Sequence, residues 1–262
     1  MFPARLFSML SRLEELYFLE KSTTDTSKVN LPESLRLLHL ITLPFSEIRN
    51  PKQLKQLKEL FFHSRSHDVP TSFLRKIPST TKIFSFNYYP KTETDYQFDL
   101  SLIPESVEHV ALTLGDCPSY GSFSDKLTYL SLNLCHYPAP FVEIYKKFKI
   151  GQLSNLLTFV TATPQYLEND FRDIVFPPKL YHFEMRLGRY NSALDVCQTP
   201  MRYEPQCIRV YEIPERVSEF ILILTTSDLK GNMKVIASGE MSVEELRRKV
   251  ITVPYAYDFE FL

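Results

Sequence analysis

Glycine is scarce in this chain, 6 of 262 residues. An ordinary protein carries about 7%. The scarcity argues against glycine-rich phosphate loops, and neither G-x-x-x-x-G-K-[ST] nor G-x-G-x-x-G occurs. H-E-x-x-H and G-x-S-x-G are also missing. There is no excess of charge: 30 Lys and Arg stand against 31 Asp and Glu. That balance lacks the electrostatic footprint of a dedicated nucleic-acid binder. No apolar run reaches the roughly 18–20 residues of a membrane span; the longest candidate, residues 220–224, is the length of a strand. Met1-Phe2-Pro3-Ala4-Arg5 opens without a long apolar stretch or a small-residue cleavage site, so no secretory signal is expected. The four cysteines, Cys117, Cys135, Cys197 and Cys207, form no C-x-x-C. Reduced thiols in the cytosol or nucleus follow from that, although spacing alone also permits a Cys197–Cys207 bridge. No cofactor or metal is expected.

What is present is a repeat. Leu31-Pro32-Glu33-Ser34-Leu35, leading to Leu38 and Leu40, matches Ile103-Pro104-Glu105-Ser106-Val107, leading to Val110 and Leu112. Ile213-Pro214-Glu215-Arg216-Val217 leads in the same way to Phe220 and Leu222. Relaxed copies run through Thr81, Phe84 and Phe86, through Leu127, Leu130 and Leu132, and through Leu180, Phe183 and Met185. Weaker ones run through Leu13, Leu16 and Phe18, through Leu57, Leu60 and Phe62, and through Leu156, Phe159 and Thr161.

The middle apolar residues serve as anchors: Leu16, Leu38, Leu60, Phe84, Val110, Leu130, Phe159, Phe183 and Phe220. Their spacings are 22, 22, 24, 26, 20, 29, 24 and 37 residues. Each copy alternates with period two, as a strand with one face on a core does. One copy is too small to bury its own apolar side, so stacked copies share a core. The proline falls just before the strand, where its missing N–H breaks no ladder.

On these residues the chain resembles the leucine-rich-repeat superfamily over nearly its whole length. The Leu-Pro or Ile-Pro start is most similar to FNIP-type repeats and to the repeat arrays of some F-box proteins. The resemblance implies an α/β solenoid, an irregular leucine-rich-repeat horseshoe with a parallel sheet on its concave face. It implies about nine repeats in one domain over 1–262, an insertion at 186–212 and a C-terminal capping segment at 225–262. Typical repeats place an Asn three residues past the last Leu; here Leu43, Gly115, Cys135 and Thr225 stand there, so irregular turns are expected. Residues 140–149 put Phe141, Ile144, Tyr145 and Phe148 on one helical face. Ser242-Val243-Glu244-Glu245 reads as a capping box opening a helix, with a strand-like tail at 253–261. At the other end two readings stand: residues 1–10 cap the array as a short helix, or the chain is a piece of a longer parent.

Several chemical readings compete with plain surface. His63 and His67 have i, i+4 spacing, but their serine-rich surroundings suggest a turn rather than a metal-binding helix. Glu168, Asp170 and Asp173 read as a solvated acidic face, not as paired catalytic carboxylates. Lys52, Lys55 and Lys58, like Lys146, Lys147 and Lys149, read as exposed helix faces.

The outward residues of each strand form columns. Tyr17, His39, Phe61, Ser131 and Glu184 belong to one, and His109, Tyr129 and His182 to its neighbour. Aromatic residues among polar ones are the usual anchors of protein interfaces. The expected function is therefore a non-enzymatic protein–protein interaction module, with these eight residues contacting a protein partner. The resemblance implies an adaptor or scaffold, one version being the substrate-recognition part of a ubiquitin-ligase adaptor; the chain itself lacks a recognisable F-box. Competing readings are a cysteine-dependent enzyme near 182–207, pairing Cys197 or Cys207 with His182, and a degenerate repeat without a dedicated ligand. No nucleic-acid or membrane partner is expected. Leu130→Asp places an unpaired charge in the core and is expected to unfold the chain, whereas Tyr129→Ala leaves the circular dichroism spectrum unchanged.

Overall fold

The structure, a computed structural model, describes residues 10–18, 30–41, 48, 51–64, 71–88, 98–114, 119–133, 141–164, 174–188, 219–225, 232–237 and 251–253. Strands β1 (Glu15–Phe18), β2 (Leu37–Ile41), β3 (Glu59–Ser64) and β4 (Ile83–Tyr88) come first. After the short β5 (Phe98–Asp99) follow β6 (His109–Leu114), β7 (Ser119–Tyr120) and β8 (Tyr129–Asn133). Helix α1 (Phe141–Lys147) precedes β9 (Thr158–Pro164), β10 (His182–Gly188), β11 (Glu219–Thr225), β12 (Asn232–Ala237) and β13 (Ile251–Val253).

Eleven of these strands form one sheet in the order β1-β2-β3-β4-β6-β8-β9-β10-β11-β12-β13. Pairing is parallel from β1 through β11. The fold is thus a mostly parallel sheet with few helices. The registers join Leu16, Leu38, Leu60, Phe84, Val110, Leu130, Phe159, Phe183 and Phe220 in one continuous row. Every sequence anchor therefore has the next anchor as its lateral neighbour.

Two sets of hydrogen bonds explain why the strands start where they do. At each start, the N–H of the first inward residue closes a turn on the carbonyl three residues earlier. Leu35 donates to Pro32 at 3.3 Å, Thr81 to Pro78 at 3.1 Å, Val107 to Pro104 at 3.0 Å and Leu180 to Pro177 at 3.2 Å. Proline suits this place because only its carbonyl is used and its locked φ limits the unfolded chain. One residue beyond the turn, a single carbonyl then accepts two N–H groups of the next rung. Glu14 O takes Arg36 N and Leu37 N; Arg36, Lys58, Lys82, Glu108, Thr128 and Leu157 repeat the arrangement in sequence.

The serine of the Pro-x-Ser-Leu motif has a role of its own. Ser34 Oγ donates to Leu13 O at 2.7 Å, Thr80 Oγ1 to Leu57 O at 3.0 Å and Ser106 Oγ to Thr81 O at 2.9 Å. Asn155 Nδ2 occupies the same motif position and donates to Asp125 O at 2.8 Å. Each bond ties a turn to the preceding rung. The turns where an Asn was missed (Leu43, Gly115, Cys135) lie outside the described residues, while those at the strand starts are regular.

The inward side chains are buried from Leu35 to Phe183. With no tryptophan in the chain, phenylalanine supplies the bulk. Phe62, Phe86 and Phe98 stack in series, with ring centroids 5.5 and 5.2 Å apart, and Phe73 leans on the first two. A second pile joins Phe159 to Phe183 at 5.6 Å, with Tyr145 and Phe176 against them. Each fully buried Leu or Phe contributes about 1.5–3 kcal/mol.

Helix α1 buries Ile144 and Tyr145, and Phe148 just beyond it is buried too, on the face the spacing predicts. Glu143 in its first turn and Lys146 and Lys147 in its last suit the helix dipole. The left-handed backbone of Lys149, φ 54°, stops the helix short of the predicted 140–149. Lys52 and Lys55 are exposed, but not on a helix: Pro51–Gln53 is one 3₁₀ turn, because Leu54 and Leu57 must bend inward to the core. His63 lies in β3 rather than in a turn, and His67 is outside the described residues.

The C-terminal end also departs from expectation. β12 pairs antiparallel with β11 and β13 with β12, while the expected strand-like tail lies outside the described residues beyond Val253. β12 went unread in the sequence, although Gly231-Asn232 before an apolar stretch is a turn signal. The expected helix after Ser242, the 189–212 part of the insertion, the Ile213-Pro214 motif, the acidic residues at 168–173 and all four cysteines lie outside the described residues. So do 1–9 and 254–262. Among the described residues no helix is long and apolar enough to cross a membrane.

Gly151 marks a close backbone approach. A Cβ there would sit 2.0 Å from Val175 O, the atom that accepts the Tyr145 hydroxyl at 3.1 Å. Gly151→Ala is expected to cost about 2–3 kcal/mol and lower the melting temperature by about 5–10 °C, read by thermal denaturation.

A candidate interaction face on the outward side of the sheet

The outward residues align across the strands as their spacing predicts. One column runs Tyr17, His39, Phe61, Ser85, Ala111, Ser131, Val160, Glu184 and Ile221. Its neighbour runs Glu15, Leu37, Glu59, Ile83, His109, Tyr129, Thr158, His182 and Glu219. The parallel register puts equivalent residues about 4.8 Å apart.

The eight candidate residues resolve into three groups. Tyr17, His39 and Phe61 form a row over β1, β2 and β3, with ring centroids 5.8 and 5.6 Å apart and tilted planes. Tyr17 is 54% exposed, whereas His39 and Phe61 are half-buried. Burial lowers the His39 pKa below its ordinary value, favouring the neutral imidazole. On β6 and β8, His109 meets Tyr129 at 5.7 Å, and half-buried Ser131 stands between Ala111 and Val160. On β10, His182 Nε2 lies 3.8 Å from Glu184 Oε2, both side chains being mostly covered.

The centre of the sheet keeps the groups apart. Ser85 and Val160 are buried although they face outward. In the third column Thr113 is buried and donates to Asn87 Oδ1 at 2.9 Å. Polar pairing of this kind satisfies a covered hydroxyl and leaves little for a partner. Leu19 of that column lies outside the described residues. Tyr17 and His109 are thus the exposed candidates, and the other six are half-buried.

One charged column escaped the sequence reading. The residues just before each strand are Glu14, Arg36, Lys58, Lys82 and Glu108 on five successive rungs, then Thr128, Leu157 and Tyr181. Arg36 pairs with Glu14 at 3.6 Å, and Lys82 with Glu108. The hydrogen bond from Lys82, chiefly, holds the Glu108 carboxyl below its usual range. Leu157 and Tyr181 are exposed. The signal was available: every member immediately precedes a period-two stretch, where a residue leaves the core but remains in the lateral ladder.

Among the described residues no group of three or more His, Cys, Asp or Glu could hold a metal ion. Comparison with protein-family models, with curated proteins and with solved structures finds no match for this chain.

His39 yields a prediction with a definite sign. Its folded pKa lies below the unfolded value of 6.5, so its contribution to stability is present above that value and is lost as pH falls. Melting temperatures of the wild type are expected to drop between about pH 7.5 and about pH 5.5 more steeply than those of His39→Phe, which cannot take up the proton.

Proposed function

We propose that the chain is an irregular leucine-rich-repeat horseshoe that works as a non-enzymatic protein–protein interaction module. About nine repeats, an insertion that begins after β10 rather than at 186 and runs to 212, and a C-terminal cap that begins after β11 make up one domain over 1–262. Its cellular setting is the cytoplasm or nucleus. The unbroken row of anchors supports the repeat reading, since lateral neighbours at fixed register are what stacked units require.

The observation that carries the functional reading is the Tyr17–His39–Phe61 row. Three ring systems on adjacent strands, with one exposed and two half-covered, offer area at low entropic cost. A rigid sheet holds them in place before a partner arrives, and that lowers the cost of binding. The partner is a protein that lays apolar side chains on this row and reaches toward His109, Tyr129, Ser131, His182 and Glu184. An adaptor that presents a substrate to a ubiquitin ligase is one role consistent with such a surface.

The test compares affinity capture by the intact chain with capture by a Tyr17→Ala, Phe61→Ala, Tyr129→Ala variant, read by quantitative mass spectrometry. At least one protein is expected to be lost with the variant, while far-ultraviolet circular dichroism stays unchanged. Its purified form is expected to bind Phe61→Ala about tenfold or more weakly than wild type. Identical capture by both chains sinks the proposal.

A further inference from the structure

Charge is unevenly distributed along a chain whose net charge is −1. Residues 30–88 contain nine Lys or Arg against four Asp or Glu, while residues 89–133 contain two against seven. Among the described residues the counts are seven against two and one against four, and the sheet order sets these blocks side by side, so for them the imbalance is spatial as well as sequential.

At the leading edge of the sheet the imbalance becomes a row. Arg36, Lys58 and Lys82 succeed one another immediately before β2, β3 and β4, closed off by Glu14 on one side and Glu108 on the other. Glu14 is committed to Arg36 and Glu108 to Lys82. Lys58, exposed in the middle, has a cation on both flanks and no ion pair among the described residues. Exposed Lys55 in the turn before it adds a further positive charge. With the outer two cations offset by Glu14 and Glu108, Lys58 between them is the cation left for an outside carboxylate.

We infer that the leading edge of β2–β4 docks an acidic segment of a protein partner, with carboxylates across Arg36, Lys58 and Lys82 and an apolar residue on Phe61 and His39. The inference deepens the interaction reading above and rests on it. Arg36 and Lys58 immediately precede β2 and β3, and His39 and Phe61 stand three residues further along the chain, roughly 10 Å, with Glu59 between Lys58 and Phe61. One short segment spans both features. A nucleic acid fits less well, because Glu14 and Glu108 bound the row and repel a polyanion that runs past three charges.

A random peptide library displayed on phage, panned on the full chain, provides the test. Recovered peptides are expected to be about twofold or more enriched in Asp and Glu over the input, and to carry an aromatic or aliphatic residue. By fluorescence polarisation, the tightest peptide is expected to bind Lys58→Glu about tenfold more weakly, with Lys58→Gln intermediate and binding weakening as salt rises. The inference is overturned if no peptide is recovered, or if the peptides are no more acidic than the input. It is also overturned if Lys58→Glu stays within about twofold of wild type, or if a labelled single-stranded oligonucleotide binds more tightly than the peptide. Neutral peptides that still depend on Phe61 would overturn the acidic partner alone. Peptides indifferent to Phe61 and Tyr129 would count against the interaction face itself.

Discussion

A rung of this protein presents two or three inward apolar side chains and has little of its own to lay over them. The next rung supplies the cover. Phe84 is fully buried because Leu60 and Val110 flank it in register, and the same relation repeats from Leu38 to Phe183. The lateral hydrogen bonds carry the same dependence. A carbonyl such as Lys58 O accepts two N–H groups from the following rung, so neither the core nor the ladder of one strand is complete alone.

That constraint divides the surface into regions with different freedom. The inward face admits only apolar side chains and an occasional covered hydroxyl such as Thr81 or Thr161. The turn before each strand must bend sharply and return a carbonyl, which favours proline followed two residues later by serine or threonine, with Asn155 taking the hydroxyl's place in a turn without proline. The outward columns and the leading edge are under neither demand. Aromatic rings gather there over β1–β3 and cations over β2–β4, and residues without a structural duty are the ones that can be shaped by a partner.

Much of this was legible in the residues. The nine anchors and the inward triplets follow from apolar spacing alone, because a period of two leaves each strand one way to face a core. Tyr17, His39 and Phe61 are neighbours for the same reason: equivalent positions in successive copies must adjoin once the strands pair in register. The single helical face at Ile144, Tyr145 and Phe148 was equally plain. The hydroxyl bonds between turns were not, since a serine's partner lies more than twenty residues away. Nor was the charged column, where isolated lysines look like ordinary solvated surface until the register lines them up.

The sequence by itself determined which side chains of the nine repeat strands lie inward, where those strands begin and in what order the rungs follow, because burial and turn chemistry are local demands repeated along the chain. Only the tertiary structure decided which outward residues stay accessible and which charges stand together. It covers Ser85, Thr113 and Val160 while leaving Tyr17 open, and it sets Lys58 between Arg36 and Lys82. Those outcomes depend on what neighbouring rungs place alongside, and the alternation of one strand holds no record of that.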